Sequence, residues 1–459
     1  MPTVPLQYEP LKSVLLYIEP NIRFQISLCM PSISTLEKRI PLKIENLSFS
    51  MPQNEKCLKV NEYNYQLGVY RDFGHMDVPS EIQLMNDRGG CQHDIDQYGF
   101  SINPGRNTIL PGDVDLRKED LPLTVGSYCE VMEQEYVKKL RMLRRLLAER
   151  INQEYNEEDG LPRTFGPPQI FFRSHFEDYP VESIEYHIED TQYRLMPYLH
   201  RQNNTKPTFT CWIQFTVTSP NGRQSRRFLY NKKLFEAEKN LITALLGNRK
   251  LIISVKNLKI GNDNGVFRFP VATKMSIENL QVRYWNVPSF EAFGNIIDSS
   301  SLPLQQLKLG SSIHSADFTH RIVKESKKLV IDNQLHEHGS WTPILQNLTH
   351  QNVLLERENE HDPPNNYMDL VENWLETGRP LGTTFSLGIQ EEETVKQCLE
   401  TLKQRHDVIT SSERQVQLRI NNCSMLNVCY EDTNRPISRF WRHNPEWLLS
   451  LTVVRATSD

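Results

Sequence analysis

The sequence predicts an α+β fold in which a short helical unit precedes a β-rich region and a repeating stack of strands and helices. Apolar residues recur at helical spacing over the first forty residues, and they alternate in the manner of strands from residue 42 onward. From residue 255 a short apolar motif recurs at intervals in the twenties, which is typical of stacked repeats. We therefore expect three domains, over residues 5–41, 42–160 and 165–459.

The first helix of the N-terminal unit is predicted by one apolar stripe. Residues at i, i+3, i+4 and i+7 share a helix face, and here they are Leu11, Val14, Leu15 and Ile18. Pro20 ends this helix, because proline disfavours the helical conformation in the residue before it.

A second and a third short helix follow. The second carries one stripe of Ile22, Ile26 and Cys29 and another with Phe24 and Leu28. The third carries apolar residues at 33, 36 and 40. Each helix has about three turns or fewer, which is below the length at which an isolated helix is stable in water. The unit must therefore bury its apolar surface against the rest of the chain or against a partner protein.

The predicted second domain combines strands, turns and one long helix. Residues 42–49 and 56–70 alternate in the manner of strands, whereas 71–126 are rich in turn residues and predict either a loop-dominated insert or an irregular β unit. The helix over 131–155 carries an apolar seam of Met132, Tyr136, Leu140, Leu143, Leu147 and Ile151. This seam packs either on its own domain or, as a coiled coil, on a second copy of the chain.

The predicted third domain begins with a hairpin and contains a repeat. An Asn-Gly dipeptide at 221–222 predicts the hairpin, and residues 232–249 predict an amphipathic helix. A leucine-rich-repeat-like motif then recurs with central positions at Leu258, Leu280, Leu307, Leu329 and Val353, spaced 22, 27, 22 and 24 residues apart. Each turn of such an α/β solenoid has an apolar face that only the next turn covers. Residues 44–49 fit the same motif, either by coincidence or because they pair at one edge of the sheet. A helix at 391–405 and the strands after it predict a C-terminal β cap.

Composition and motifs favour a binding protein over an enzyme. The net charge is only −5, from 52 basic and 57 acidic residues, so we expect neither a nucleic-acid nor a membrane partner. Eight scattered cysteines without a C-x-x-C pair suit the cytoplasm or the nucleus. Sequence motifs for phosphate binding, for a catalytic nucleophile and for zinc proteases do not occur. His336 and His338 could bind a metal ion only with a third and a fourth ligand, and the sequence does not indicate any. We therefore expect no catalytic residues, no cofactor and no metal.

Several stretches resemble the nematode F-box C proteins. The segment PLKSVLLYIEPNIRFQISLCMPSISTLEKRI resembles an F-box, and the segments after it resemble the nematode-restricted domain of unknown function and the F-box-associated region of that family. These include FLYNKKLFEAEKNLITALLGNRKLIISVKNLKI and GRPLGTTFSLGIQEEETVKQCLE. The resemblance implies a substrate-receptor subunit of a Skp1–cullin–F-box ubiquitin ligase, which is not itself an enzyme.

The resemblance also implies two partners. A Skp1-type adaptor protein would bind the N-terminal helices, and an unknown target protein would bind the repeat region. The adaptor-binding candidates carried over to this chain are Pro10, Leu11, Leu15, Ile18, Ile22, Phe24 and Leu28. The alternative hypothesis is a stand-alone repeat scaffold that binds protein through its repeats, keeps only a relic F-box and has no role in a ligase.

Overall fold

A sheet of 15 strands runs through most of the chain. The computed structural model describes residues 8–50, 57–102, 108–116, 125–156, 161–164, 173–261, 266–283, 287–310, 317–332, 340–356, 365–433 and 446–456. Within these ranges the fold is a mixed α/β structure with 12 α-helices and two further two-stranded sheets. The strands are β1 Lys43–Ser50, β2 Cys57–Val60, β3 Tyr63–Asp72, β4 Asp94–Ile95, β5 Ser101–Ile102, β6 Val114–Asp115, β7 Thr210–Ser219, β8 Gly222–Leu229, β9 Ile253–Ile260, β10 Val266–Phe267, β11 Met275–Val282, β12 Gln306–Gly310, β13 Lys328–Asp332, β14 Asn352–Leu355, β15 Thr384–Ile389, β16 Val408–Ser411, β17 Gln415–Arg419, β18 Ser424–Asp432 and β19 Trp447–Arg455.

The helices alternate with strands over most of the chain. They are α1 Tyr8–Tyr17, α2 Pro20–Cys29, α3 Pro31–Glu37, α4 Ser80–Arg88, α5 Val125–Arg150, α6 Val181–Asn203, α7 Leu234–Leu246, α8 Val287–Gly294, α9 Arg321–Glu325, α10 Thr342–Asn347, α11 Tyr367–Thr377 and α12 Glu392–Lys403. Among the described residues, no helix is both long enough and apolar enough to cross a membrane.

The centre of the sheet consists of parallel strands. Strands β1, β9, β11, β12, β13, β14 and β15 lie side by side in that order and are all parallel. The predicted central positions of the repeat, residues 258, 280, 307, 329 and 353, are paired with one another in register, and all five are buried. The strands of the repeat are therefore where the sequence predicts them. That the repeats form a leucine-rich-repeat-like α/β solenoid stays a prediction.

Strand β1 joins this stack at its N-terminal side. Leu47 is paired with Leu258, and Phe49 is paired with Ile260, so the motif at 44–49 continues the repeat in parallel register. Strand β1 does not lie at the sheet edge, because β2, β3, β7 and β8 extend the sheet beyond it with antiparallel pairing. Strands from both sides of the predicted domain boundary near residue 160, such as β3 and β7, are paired in this one sheet. The division into domains stays a prediction.

Large aromatic side chains fill the space between the parallel strands and their helices. Trp341 precedes α10, Trp374 lies in α11, and Phe385 lies in β15; all three side chains are fully buried. The rings of Trp374 and Phe385 meet edge to face with centroids 4.8 Å apart. Such pairs are favourable because the positive ring edge faces the negative ring face.

At the C-terminal end of the chain, four further strands, β19, β18, β17 and β16, continue the same sheet with antiparallel pairing.

The long helix α5 packs on α6, a helix that the repeat and hairpin patterns do not predict. The helix α5 covers 125–150 rather than 131–155, and Asn152 follows it with a positive φ of 53°, a conformation that asparagine tolerates. Leu143 is buried with Ile184 of α6 in one cluster, and Leu140 is buried with Leu195 in another. Leu140 and Leu143 of the seam therefore pack within the chain, but on a helix of the predicted third domain rather than on the predicted domain that contains α5.

The turn-rich segment 71–126 contains a helix as well as short strands. Helix α4 ends at Arg88 and is capped by Gly89. The backbone of Gly89 lies so close to Gly68 of β3 that a Cβ atom at position 68 would collide with the Gly89 carbonyl. Glycine at position 68 allows this close approach because it has no side chain. Neither prediction for this segment, a loop-dominated insert or an irregular β unit, includes the helix α4.

Candidate partner-binding site

One glutamate, Glu19, connects the start of α2 to the sheet. The Glu19 carboxylate accepts hydrogen bonds from the backbone N–H groups of Asn21 (2.7 Å) and Ile22 (3.2 Å), and so caps α2. It also accepts one from the side-chain amide of Asn61, in the turn between β2 and β3, at 2.9 Å. Pro20 occupies the first turn of α2, where a missing N–H is harmless. The start of α2 is therefore fixed by the sheet.

A buried ion cluster holds α2 and α3 together. Arg23 of α2 donates from Nε to Glu37 Oε1 at 3.1 Å, and its Nη2 lies 2.8 Å from the same oxygen. Arg249, which follows α7, donates from Nη2 to Glu37 Oε2 at 2.9 Å. Burial lowers the pKa of the Arg249 guanidinium, and the Glu37 charge opposes this effect. One carboxylate thus neutralises part of two buried positive charges.

A second polar contact reaches the sheet from α2. The side-chain amide of Asn21 donates to the Val60 carbonyl at 3.0 Å, and its oxygen accepts from the Tyr65 hydroxyl at 2.7 Å. Burial, together with the charge of Glu19, raises the pKa of Tyr65. Asn21 is fully buried, so its partners satisfy groups that would otherwise lose hydrogen bonds to water.

Two of the predicted adaptor-binding residues face the chain itself. Leu15 is 1% exposed and is buried with Leu36 and Ile40, and Phe24 is 2% exposed and belongs to the main core. Neither side chain is accessible to a partner in this conformation. Helical spacing correctly marks these positions as apolar, but it does not say which surface covers them.

The remaining predicted residues are partly or fully accessible. Pro10, Ile22 and Leu28 are exposed, whereas Leu11 and Ile18 are half-buried against the cluster around Leu15. Binding of a partner through any of them stays a prediction.

Further apolar side chains of the same helices are exposed. We name these residues, together with Ile22 and Leu28, the N-terminal apolar set: Val14, Leu16, Tyr17, Ile22, Leu28 and Met30. Tyr17 at the end of α1 is 92% exposed. Four members of this set, Val14, Leu16, Tyr17 and Met30, are not among the predicted adaptor-binding residues. The last three lie outside the apolar stripes. Large apolar side chains outside the buried stripe of a short helix are the signal that would have pointed to them.

One face of the parallel strands, opposite to the buried leucines of the repeat, carries a row of polar residues. One row of residues, paired in register from strand to strand, consists of Asn46, Asn257, Asn279, Gln306, Lys328, Asn352 and Thr384. Asn257 Nδ2 donates to Asn46 Oδ1 at 2.9 Å, and Asn279 Nδ2 donates to Asn257 Oδ1 at 2.8 Å. These side chains are exposed or half-buried. The amide, ammonium and hydroxyl groups of this row are hydrogen-bonding groups.

A carboxylate pair links α4 to α6. Arg194 of α6 donates from Nε to Asp190 at 2.8 Å and from Nη2 to Glu81 of α4 at 3.1 Å. A hydrogen bond with the Asp190 carboxylate raises the pKa of Glu81 to about 7, and burial adds to the effect. The pKa of Asp190 is lowered, because Glu81 and Arg194 both favour its ionised form against the effect of burial. Glu81 thus holds the shared proton near neutral pH.

The described residues contain no group of three histidine, cysteine or acidic side chains placed to hold a metal ion. His336 and His338 lie outside the described residues.

A family model matches about a third of the chain. Residues 233–391 match a domain of unknown function, DUF3557. This segment begins at the residue before α7 and ends at the residue before α12, so it contains the strands β9 to β15. No F-box model matches the chain, so membership of the nematode F-box C family stays a prediction. No curated protein and no solved structure matches the chain.

Proposed function

We propose that this chain is a non-catalytic substrate-receptor subunit of a Skp1–cullin–F-box ubiquitin ligase. The observation that carries the proposal is the N-terminal apolar set, whose six large side chains remain accessible on α1, on α2 and in the residue after α2. Full burial of an exposed apolar side chain is worth about 1.5–3 kcal/mol. Five of the six are already about half-buried and contribute less, but a partner that covers all six gains affinity.

The contact surface in this proposal differs from the one that the stripes predict. The adaptor binds Val14, Leu16 and Tyr17 of α1 together with Ile22 and Leu28 of α2. The buried Leu15 and Phe24 pack these helices against the rest of the chain and make no contact with the adaptor. Binding an apolar helix face in a partner groove is a common mode of recognition.

The target protein binds the polar row of the parallel strands in this proposal. The amide groups of Asn46, Asn257 and Asn279 already form a hydrogen-bonded ladder, so their orientation is fixed before a target arrives. Fixed donors and acceptors lose little entropy on binding. The DUF3557 match covers all of these strands except β1.

Co-elution of the full chain with a purified Skp1-type adaptor on gel filtration tests the proposal. Tyr17→Asp with Leu28→Asp should abolish co-elution, because charged side chains would be buried without partners. Tyr186→Asp with Leu251→Asp is the matched control, since these two side chains are also exposed. Failure of the unaltered chain to co-elute, or an equal loss in the control, contradicts adaptor binding through this set.

A stand-alone scaffold with a relic F-box is the second candidate. The burial of Leu15 and Phe24 by the chain itself favours it, because a relic helix would pack in the same way. Deleting residues 1–40 does not separate the two functions. Such a deletion removes Arg23 and Glu37 from the buried ion cluster and leaves Arg249 unpaired. The surface substitutions above leave that cluster intact and are therefore the better test.

A further inference from the structure

Strand β8 is an edge strand of the large sheet and is exposed along its whole length. It pairs with β7 from Leu229, opposite Trp212, to Gly222, opposite Ser219, without a shift in register. All eight of its residues are exposed. The described part of the chain places no strand on its other side. An edge of this kind offers backbone N–H and C=O groups to an additional strand.

The segment that contains β8 has an unusual charge distribution. Residues 206–235 include six lysines and arginines and no aspartate or glutamate. The whole chain has 57 acidic residues in 459, about one in eight. This positive charge therefore stands out from a chain whose net charge is −5. A partner that recognises this region by charge must be acidic.

Two arginines of β8 have no acidic partner among the described residues. Arg223 and Arg226 are exposed, and they project to opposite faces because three positions separate them along the strand. Arg227 differs from them, since its guanidinium stacks 3.5 Å from the ring centroid of Tyr70. Phe228 and Leu229 at the end of the strand are 52% and 66% exposed. Both faces of the edge thus carry an unpaired positive charge, and its end is apolar.

We propose that β8 binds an extended acidic segment of a partner protein as an additional strand. Backbone hydrogen bonds to the free edge supply affinity, and acidic side chains opposite Arg223 and Arg226 supply specificity. This surface is separate from the N-terminal apolar set, so the inference does not depend on adaptor binding.

The same charges exclude a second copy of the chain at this edge. An antiparallel pair of β8 strands would bring arginines of both copies close together, and like charges across a strand pair are destabilising. Charged residues on edge strands commonly prevent such self-association. Here the charge has one sign only, so it repels a copy of β8 and attracts an acidic strand. Nucleic acid is the competing anionic partner, and the experiment must distinguish it.

Fluorescence anisotropy with three labelled probes on the full chain tests the proposal. The first probe is an eight-residue peptide of alternating Glu and Thr, and the second is the same peptide with alternate backbone nitrogens methylated to block strand pairing. The third is an oligonucleotide of eight thymidines. We expect saturable binding of the first probe only, and a loss of about tenfold in affinity for Arg223→Glu with Arg226→Glu. Arg39→Glu with Lys324→Glu changes the net charge equally, also on exposed positions, and should leave affinity within about twofold.

Four results would overturn the inference. The first is no saturation by the Glu-Thr peptide up to about 1 mM. Equal binding of the methylated peptide would exclude strand pairing, and equal or tighter binding of the oligonucleotide would indicate a nucleic-acid surface instead. An equal loss in both charge variants would indicate a general charge effect. Circular dichroism of both variants verifies that they fold, because exposed arginines contribute little to stability.

Discussion

Arg23 Nη2 and Glu37 Oε1 lie 2.8 Å apart, and both side chains are only 2% exposed. This pair connects α2 to α3, and Arg249 extends it to the end of α7. A helical unit that is too short to be stable by itself is thereby fixed to the end of α7, and Glu19 and Asn21 fix it to the sheet. The N-terminal helices are part of the same hydrogen-bonded structure as the repeat strands.

Glu37→Gln should destabilise the chain by about 3 kcal/mol, because two buried guanidinium groups lose their counter-charge. Denaturant unfolding followed by circular dichroism measures this change. Glu9→Gln removes the exposed Lys12–Glu9 pair and is the control, with an expected change below about 0.5 kcal/mol. Equal effects of the two substitutions would contradict a structural role for the buried cluster.

Leu329→Ala should lower the free energy of unfolding by about 2–5 kcal/mol. Leu329 lies in the centre of the parallel stack, paired with Leu307 and Val353, and is fully buried. The adjacent Lys328→Ala removes a side chain from the opposite face and should change stability by less than about 0.5 kcal/mol. If both variants unfold at the same denaturant concentration as the unaltered chain, the described strand register is wrong.

The contact between α4 and α6 should weaken as pH rises through neutrality. The folded-state pKa of Glu81 is about 7, above the ordinary value of 4.5, so the folded chain binds this proton more tightly than the unfolded chain. Its stabilising contribution is complete below the ordinary pKa and is lost as pH rises past about 7. Asp190, whose pKa is lowered, stays ionised throughout this range.

Thermal unfolding at about pH 5 and pH 8 measures the effect. The midpoint should fall more between these pH values for the unaltered chain than for Glu81→Gln, which cannot ionise. Glu9→Gln should behave like the unaltered chain, since Glu9 lies on the exposed surface of α1. An identical pH dependence for all three proteins would show that Glu81 does not hold the shared proton.

The repeat strands were predictable because their pattern is redundant. Leu258 and Leu280 lie at equivalent positions of one motif, so each copy supports the assignment of the next. Helix α6 was missed because Pro197 lies within it and proline usually marks a helix end. Its apolar positions, among them Ile184 and Leu195, do follow helical spacing and were the available signal.

The direction in which the N-terminal helices face could not be predicted. Helical spacing identifies Leu15 as part of an apolar stripe, but the covering surface is formed by Leu36 and Ile40 of the same chain. In α2 the buried Arg23 contacts Glu37, the adjacent Phe24 lies in the core, and Leu28 is exposed. A buried ion pair between distant positions has no local sequence pattern. The partner-facing residues therefore had to come from the structure.

Hydroxyl-radical footprinting of the full chain, with and without a purified Skp1-type adaptor, tests the central claim most directly. Tyr17 and Met30 are exposed and react readily with the radical. Tyr186 and Met76 are exposed controls outside the N-terminal helices, and each is compared with itself in the presence and absence of the adaptor. Adaptor binding through the N-terminal apolar set predicts slower oxidation of Tyr17 and Met30 and unchanged oxidation of the controls. Unchanged oxidation of all four residues, or protection of Tyr186 and Met76 alone, would contradict it.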